Sequence, residues 1–135
     1  MQSKPVLTLE DVKKIAAAAE QEALSNGWKV VIAICDDGGH PLFLQRLDGA
    51  APISAHIAPE QAKTAALGRR ESKIYEDMIN NGRVSFLRAP ELGGMLEGGV
   101  PIVVDGHTVG AVGVSGVKSA EDAQIAKAGV AALGL

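Results

Sequence analysis

Residues 30–46, VVIAICDDGGHPLFLQR, decide the fold of this chain. The run from Val30 to Cys35 is apolar on both alternating faces, which is typical of a central strand that is covered on both sides. Asp36-Asp37-Gly38-Gly39 follows as a turn, and residues 42–47 then read as an antiparallel partner strand. The stretch therefore predicts a hairpin that is built on a central strand.

A second hairpin is predicted nearer the end of the chain. Ile102-Val103-Val104 leads into Asp105-Gly106, and residues 107–114 return. An Asp-Gly pair between β-branched runs indicates a two-residue turn. Because the strand connections are hairpins, we expect a largely antiparallel sheet with helices on both faces. The chain therefore belongs among the mixed α/β proteins, in the α+β class. A chain of 135 residues is expected to form one domain, residues 1–135.

Four segments are predicted to be helical. The first and the last are bounded by polar residues that can accept hydrogen bonds from the free amides of a first turn. The segments are residues 9–25, with Thr8 as the cap and Asn26-Gly27 as the stop; a helix that begins between Ser54 and Pro59; a short helix near residues 75–79; and a helix from Ser119, with Asp122 as its capping partner, to about Leu133.

Composition excludes several classes of protein. The net charge is −3, and acids and bases are interspersed, so there is no stripe of cations for nucleic-acid phosphates. No apolar run approaches the ~20 residues of a membrane span, and the N-terminus lacks the apolar region of a secretory signal. Cys35, the single cysteine, allows no internal disulfide and reads as an inert core thiol. We therefore expect a cytoplasmic protein that binds neither nucleic acid nor membrane.

The glycine-rich stretch Gly110-Ala111-Val112-Gly113-Val114-Ser115-Gly116 does not match known catalytic motifs. Its spacing is wrong for dinucleotide binding, and it lacks one glycine of the turn that presents a nucleophilic serine. Glycines in a strand favour close approach by a helix or a ligand. An anion could sit near Ser115 and Gly116, facing the amides that open the last helix.

Three histidines are candidates for a functional imidazole. His40 and His107 fall in turn or strand-edge positions, which normally face water. His56 lies at the entry to the second helix beside apolar residues, among them Ile53 and Ile57. It is therefore the candidate functional group, with helix capping or a plain surface position as the alternatives.

A carboxylate-binding arrangement is predicted where the second strand ends. Arg46 closes that strand, Asp48 turns the chain towards the second helix, and Lys63 follows on the helix. A guanidinium at a strand end that faces a helix start suits a ligand carboxylate. The alternative is an ordinary Arg46–Asp48 surface pair of negligible energy.

Several motifs in the right order resemble one known family, the GlcG/HbpS-like haem-degrading or haem-binding domains. The likeness covers nearly the whole chain. The motifs are residues 31–50 (VIAICDDGGHPLFLQRLDGA), residues 57–66 (IAPEQAKTAA), residues 98–102 (GGVPI), residues 105–106 with 109–116 (DG and VGAVGVSG), and the closing helix of residues 119–129.

The resemblance implies a profilin-like α-β-α sandwich with a five-stranded antiparallel sheet, whose missing strand would lie around residues 93–97. It also implies a homo-oligomer, often built from dimers. Some relatives bind haem through a histidine on the first helix, and residues 9–25 contain no histidine. His56 would have to take that role here, or haem would bind weakly through its propionates and apolar faces.

The leading hypothesis is an oligomeric, non-catalytic or weakly catalytic protein that binds haem or a related tetrapyrrole, with His56 as the candidate ligand of the iron. Arg46 and Lys63 would pair with propionates, and no catalytic residue is assigned. The alternative is an enzyme or accessory subunit that acts on a small hydroxy- or oxo-acid, as in glycolate catabolism. A third alternative is an assembly module with a vestigial pocket. The predicted binding residues are Arg46, Asp48, His56, Lys63, Gly98, Gly99, Ser115 and Gly116.

Overall fold

The structure, a computed structural model, describes residues 1–135. The helices are α1 (Leu9–Ser25), α2 (Ser54–Gly68), α3 (Ser72–Asn80) and α4 (Ser119–Ala131), and a short 3-10 helix spans Val84–Arg88. The strands are β1 (Val31–Asp36), β2 (Pro41–Arg46), β3 (Gly99–Val104) and β4 (His107–Ser115). The predicted hairpins and terminal helices are confirmed to within a few residues.

The sheet has the strand order β2-β1-β4-β3, and all three pairings are antiparallel. β1 is a central strand, as its uninterrupted apolar run predicts. Val31 lies opposite Arg46 on one side and opposite Ser115 on the other. Residues that face one another across strands point to the same side of a sheet, so the end of β2 and the end of β4 meet at the start of β1.

Alternate residues of β1 supply two separate apolar cores. Ile32 and Ile34 face α1 and α4, where they pack with Ile15 and Ile125. Val31 and Ala33 face α2, which contributes a row of buried alanines. The predicted placement of helices on both faces of the sheet is therefore confirmed, and each face is covered by a different part of the chain.

The prediction of a five-stranded sheet is wrong, because the sheet has four strands and residues 93–97 form none. Their backbone bonds to helix side chains instead. The amide of Gly94 donates to Thr64 Oγ1 (3.0 Å), and the carbonyl of Glu97 accepts from Gln61 Nε2 (3.0 Å). A Cβ atom at Gly94 would lie 2.2 Å from the backbone carbon of Glu60. Because buried backbone groups need partners, a segment pressed this closely onto α2 has none left for a strand.

The helix termini bear out one capping prediction and correct another. Thr8 caps α1 and forms a reciprocal pair with Asp11, whose amide donates to Thr8 Oγ1 at 3.2 Å. Ser119, predicted to cap α4 with Asp122, is instead its first helical residue. The amide of Lys118 donates to Glu121 Oε1 at 3.3 Å. None of the helices has the length and the apolar character needed to cross a membrane.

Candidate functional site

The chain segments that carry most of the predicted site residues meet at one end of the sheet. The hydroxyl of Ser115, at the end of β4, donates to the hydroxyl of Ser54, the first residue of α2, over 3.3 Å. Arg46 Nε, at the end of β2, donates to the carbonyl of Ala50 over 3.0 Å. Both serines are buried. These contacts attach the β2–α2 loop and the start of α2 to the sheet.

The predicted glycines lie where two backbones approach closely. A Cβ atom at Gly99 would lie 2.3 Å from the carbonyl oxygen of Gln61 in α2, and one at Gly98 would lie 2.5 Å from that of Val114. At Gly116, a Cβ atom would lie 2.4 Å from the carbonyl oxygen of Lys29. Gly98 and Gly99 are buried, and Gly116 is exposed. The first two therefore support α2 rather than face an open pocket.

His56 and Lys63 lie on the outer side of α2. They are seven residues apart, which places them on one face of the helix about 10 Å from each other. The His56 ring is exposed and takes part in no ion pair, and the neighbouring Ile53 is 60% exposed. His40, in contrast, lies 3.1 Å from Asp36. The outer face of α2 thus presents a free imidazole beside exposed apolar surface.

Lys63 is held by a carboxylate from the loop before β3. Its Nζ donates to Glu91 Oε2 over 2.6 Å. This hydrogen bond raises the pKa of Lys63 and lowers the pKa of Glu91. Both side chains remain accessible, so the pair is one that a ligand carboxylate could displace.

An apolar groove runs between β2 and α2, beside the face that carries His56. Its volume is about 200 Å³. Leu44, which is 55% exposed, lines it from the sheet, and Pro59 and Lys63 line it from the helix. Arg46 lies two residues beyond Leu44 on the same strand, and therefore on the same face of the sheet. The groove offers an apolar surface with a cation at its border.

A larger cavity, of about 350 Å³, lies where α1 ends and β1 begins. It combines cations with an aromatic ring. The residues that line it are Glu20, Leu24, Gly27, Trp28, Lys29, Gln45, Arg46, Leu47 and Asp48. Sequence reasoning missed Trp28 and Lys29. No local pattern marks them; the one available signal is the predicted hairpin, which places the start of β1 beside the end of an antiparallel β2.

The predicted site residues are thus distributed over three places. Arg46 and Asp48 line the cavity beside Trp28. His56 and Lys63 share the outer face of α2. Gly98, Gly99 and Ser115 are buried between α2 and the sheet, with Gly116 at the exposed end of β4.

The side chains that could bind a bare metal ion do not form a cluster either. The structure contains no group of three or more His, Cys, Asp or Glu side chains that could hold a metal ion. Haem iron differs from a bare ion, because the macrocycle carries the metal and the protein supplies an axial ligand. His56 offers such a nitrogen on an accessible surface.

Comparison with known proteins gives both a family match and close structural neighbours. A family model described as haem degrading protein HbpS-like matches residues 7–131. Protein GlcG of Escherichia coli (strain K12) is 56% identical over 115 residues, which cover 85% of each chain. A double mutant of HbpS from Streptomyces reticuli superposes with a TM-score of 0.90 at 32% identity, covering 100% of this chain and 92% of the other. PduOC, in a complex with haem, gives a TM-score of 0.88 at 25% identity and 95% coverage of both chains.

Proposed function

Because this chain belongs to the HbpS-like family of haem-degrading proteins, we propose that it binds haem or a related tetrapyrrole on the outer side of α2. The observation that carries the proposal is the exposed imidazole of His56, which shares one helix face with Lys63, a residue that lines an apolar groove. The solved complex of PduOC with haem supports haem binding, since PduOC has this fold.

The spacing of His56 and Lys63 suits a tetrapyrrole. The iron lies at the centre of the macrocycle and the propionates lie at its edge. An iron ligand and a cation separated by about 10 Å along a helix can therefore engage both parts at once. Lys63 would exchange its carboxylate partner Glu91 for a propionate, and the released Glu91 side chain, which is 68% exposed, would be hydrated.

The remaining contacts are apolar. The groove between β2 and α2 provides Leu44 and Pro59 for the face of the macrocycle, and Arg46 lies at the same end of the sheet for a second propionate. The Nε of Arg46 is occupied by the carbonyl of Ala50, and the bond leaves its terminal nitrogens for a ligand. The bound group would supply an iron centre, and this chain would supply its ligand and orientation. No catalytic residue is assigned, and the proposed role is binding.

Haemin titration of the purified protein tests the proposal. A saturable shift of the Soret band is expected for the parent, and a loss of that shift for His56→Ala. His40→Ala is the matched control, because His40 is also exposed but is paired with Asp36. Equal shifts in the parent and in His56→Ala would overturn the role of His56. No shift in any of the three proteins would overturn haem binding.

A second candidate function rests on the cavity beside Trp28. Lys29 and Arg46 line it together with the acids Glu20 and Asp48, so the two cations could bind the carboxylate of a small hydroxy- or oxo-acid while the acids accept from its hydroxyl group. The chain would then be an enzyme or accessory subunit for such an acid. Glycolate should raise the melting temperature of the parent by mass action, and Lys29→Ala should lose that increase. Stabilisation by haemin with none by glycolate would contradict this function.

The remaining parts of the proposal concern assembly and location. We propose a homo-oligomer built from dimers, located in the cytoplasm, as the family resemblance and the composition predict. Sedimentation of the purified protein would test the first of these, and a single monomeric species would contradict it.

A further inference from the structure

A third, wholly polar cavity lies at the far end of α2. Its volume is about 280 Å³, and no apolar residue lines it. Three separate segments contribute to it: the N-terminal residues, the residue that follows α2, and the β3–β4 hairpin. The residues that line it are Gln2, Ser3, Lys4, Arg69, Gly106, His107 and Thr108.

Arg69 occupies a backbone position that favours glycine. It ends α2 with φ 56° and ψ 36°, in the left-handed region. Glycine is the usual residue there, because a side chain in this region is strained. The preceding Gly68 lies against Tyr75, where a Cβ atom would come within 2.3 Å of the phenol oxygen. An arginine is thus held in a strained conformation at the border of the cavity.

The guanidinium of Arg69 has no acidic partner. It takes part in none of the ion pairs of the chain. Lys4, the other permanent cation of the cavity, is paired with Asp37, which lies outside the lining. The lining itself contains no carboxylate. The imidazole of His107 and the hydroxyls of Ser3 and Thr108 complete a set of groups that can donate hydrogen bonds.

We propose that this cavity binds a phosphate group, either inorganic phosphate or the phosphate of a small monoester, with Arg69 as the principal contact. A planar guanidinium can donate two parallel hydrogen bonds to phosphate oxygens. Lys4 and His107 approach from the other two segments, so an oxyanion would be surrounded rather than touched on one side. Glycine at position 69 would avoid the backbone strain, yet the residue is an arginine at the border of the cavity. Strained residues of this kind cluster at binding sites.

The site is separate from the proposed tetrapyrrole surface. Arg69 follows the last residue of α2, about 9 Å of helix beyond Lys63 and about 20 Å beyond His56. The two proposals can therefore fail independently. Variants at Arg69 should leave the haemin titration unchanged.

Phosphorus NMR tests the proposal on the parent protein and two variants. Inorganic phosphate and glycerol phosphate are added separately, and the line width of each is followed as protein is added. We expect broadening of at least one signal by the parent, loss of that broadening in Arg69→Gly, and retention in Arg88→Ala. Arg88 is the matched control, because it is an exposed arginine that lines none of these cavities. Broadening of only one signal identifies the free or the esterified form as the ligand.

Thermal unfolding without phosphate separates binding from folding. Arg69→Gly should melt at the same temperature as the parent or higher, because glycine adopts the left-handed conformation without strain. Arg69→Asn, which tolerates that conformation but lacks the charge, serves as a second variant. Absence of broadening by the parent, or equal broadening by the parent and Arg69→Gly, would overturn the proposal.

Discussion

The backbone amide of Val117 donates a hydrogen bond to the carboxylate of Asp122 over 3.1 Å, across the turn that joins β4 to α4. Asp122 is only 5% exposed, and burial raises its pKa to about 7. Removal of this carboxylate from water disfavours its charged form more than the backbone hydrogen bonds from Val117 and Gly116 favour it. The turn that follows Ser115 is therefore held by a carboxyl group that titrates near neutral pH.

Asp122→Asn should remove a pH dependence of stability. The pKa of Asp122 is about 7 in the folded chain, against 3.8 as the ordinary value, so the folded state binds the proton more tightly. Its stabilising contribution is complete below about pH 4 and is lost as the pH rises to about 7. Between about pH 5 and about pH 8 the loss is roughly 3 kcal/mol.

Urea unfolding of the parent and of Asp122→Asn at those two pH values measures this contribution. The free energy of unfolding of the variant, relative to that of the parent, should be higher at the upper pH. Taking the difference between the free energies of unfolding of the variant and the parent removes the pH dependence of the other carboxyl groups. One of these is Asp11, whose pKa is lowered by its hydrogen bonds with Thr8. A difference that is equal at both pH values would contradict the prediction.

Gly113→Ala should destabilise the packing of α2 on the sheet. A Cβ atom at Gly113 would lie 2.1 Å from the carbonyl oxygen of Ala58 and 2.6 Å from the amide nitrogen of Ala62. These are backbone atoms, so the helix itself would have to move. Overpacking of this kind costs about 1–3 kcal/mol, to be measured by urea unfolding.

Gly38→Ala is the control for that experiment. The Cβ atom would come within 3 Å only of the ring of His40, an exposed side chain that can rotate away. We expect a much smaller loss of stability there. Equal losses at the two positions would show that the contact between α2 and Gly113 is not what makes the glycine necessary.

Glu91→Gln should strengthen the binding of a ligand carboxylate at Lys63. The present hydrogen bond from Lys63 to Glu91 must be broken before Lys63 can pair with a ligand. An exposed pair of this kind contributes little, so the gain in haemin affinity should be about twofold to fivefold. Glu10→Gln, which alters an exposed pair with Lys14 on α1, is the control. A weaker affinity in Glu91→Gln would contradict a role for Lys63 in binding.

Cys35 should not react with thiol reagents in the folded protein. The side chain is 3% exposed, and burial raises the pKa of its thiol to about 12. The thiolate is the reactive form, and it is almost absent at neutral pH. Mass spectrometry after alkylation should find the thiol free in the native protein and modified in urea. Rapid native alkylation would show that β1 opens more readily than its packing indicates.

The candidate site was only partly accessible to sequence reasoning. His56 could be singled out by its position among apolar residues, but only the fold places its ring in solvent on the same helix face as Lys63. Gly98 and Gly99 could be seen as a motif, yet the reason for them is the carbonyl groups of Val114 and Gln61, which lie far away in the chain. Trp28 and Lys29 were overlooked, because a cavity between a helix end and two strand ends has no local pattern.

The sequence by itself determined the two hairpins, the central position of β1 and the helices on both faces of the sheet. Each of these follows from local patterns, namely the apolar run of residues 30–35, the Asp105-Gly106 turn and the helical spacing of α1. The tertiary structure alone decided the fate of residues 93–97, the environment of Asp122 and the unpaired state of Arg69. The physical reason is that strand pairing, desolvation and ion pairing depend on partners that are distant in the chain, and local residue patterns do not specify them.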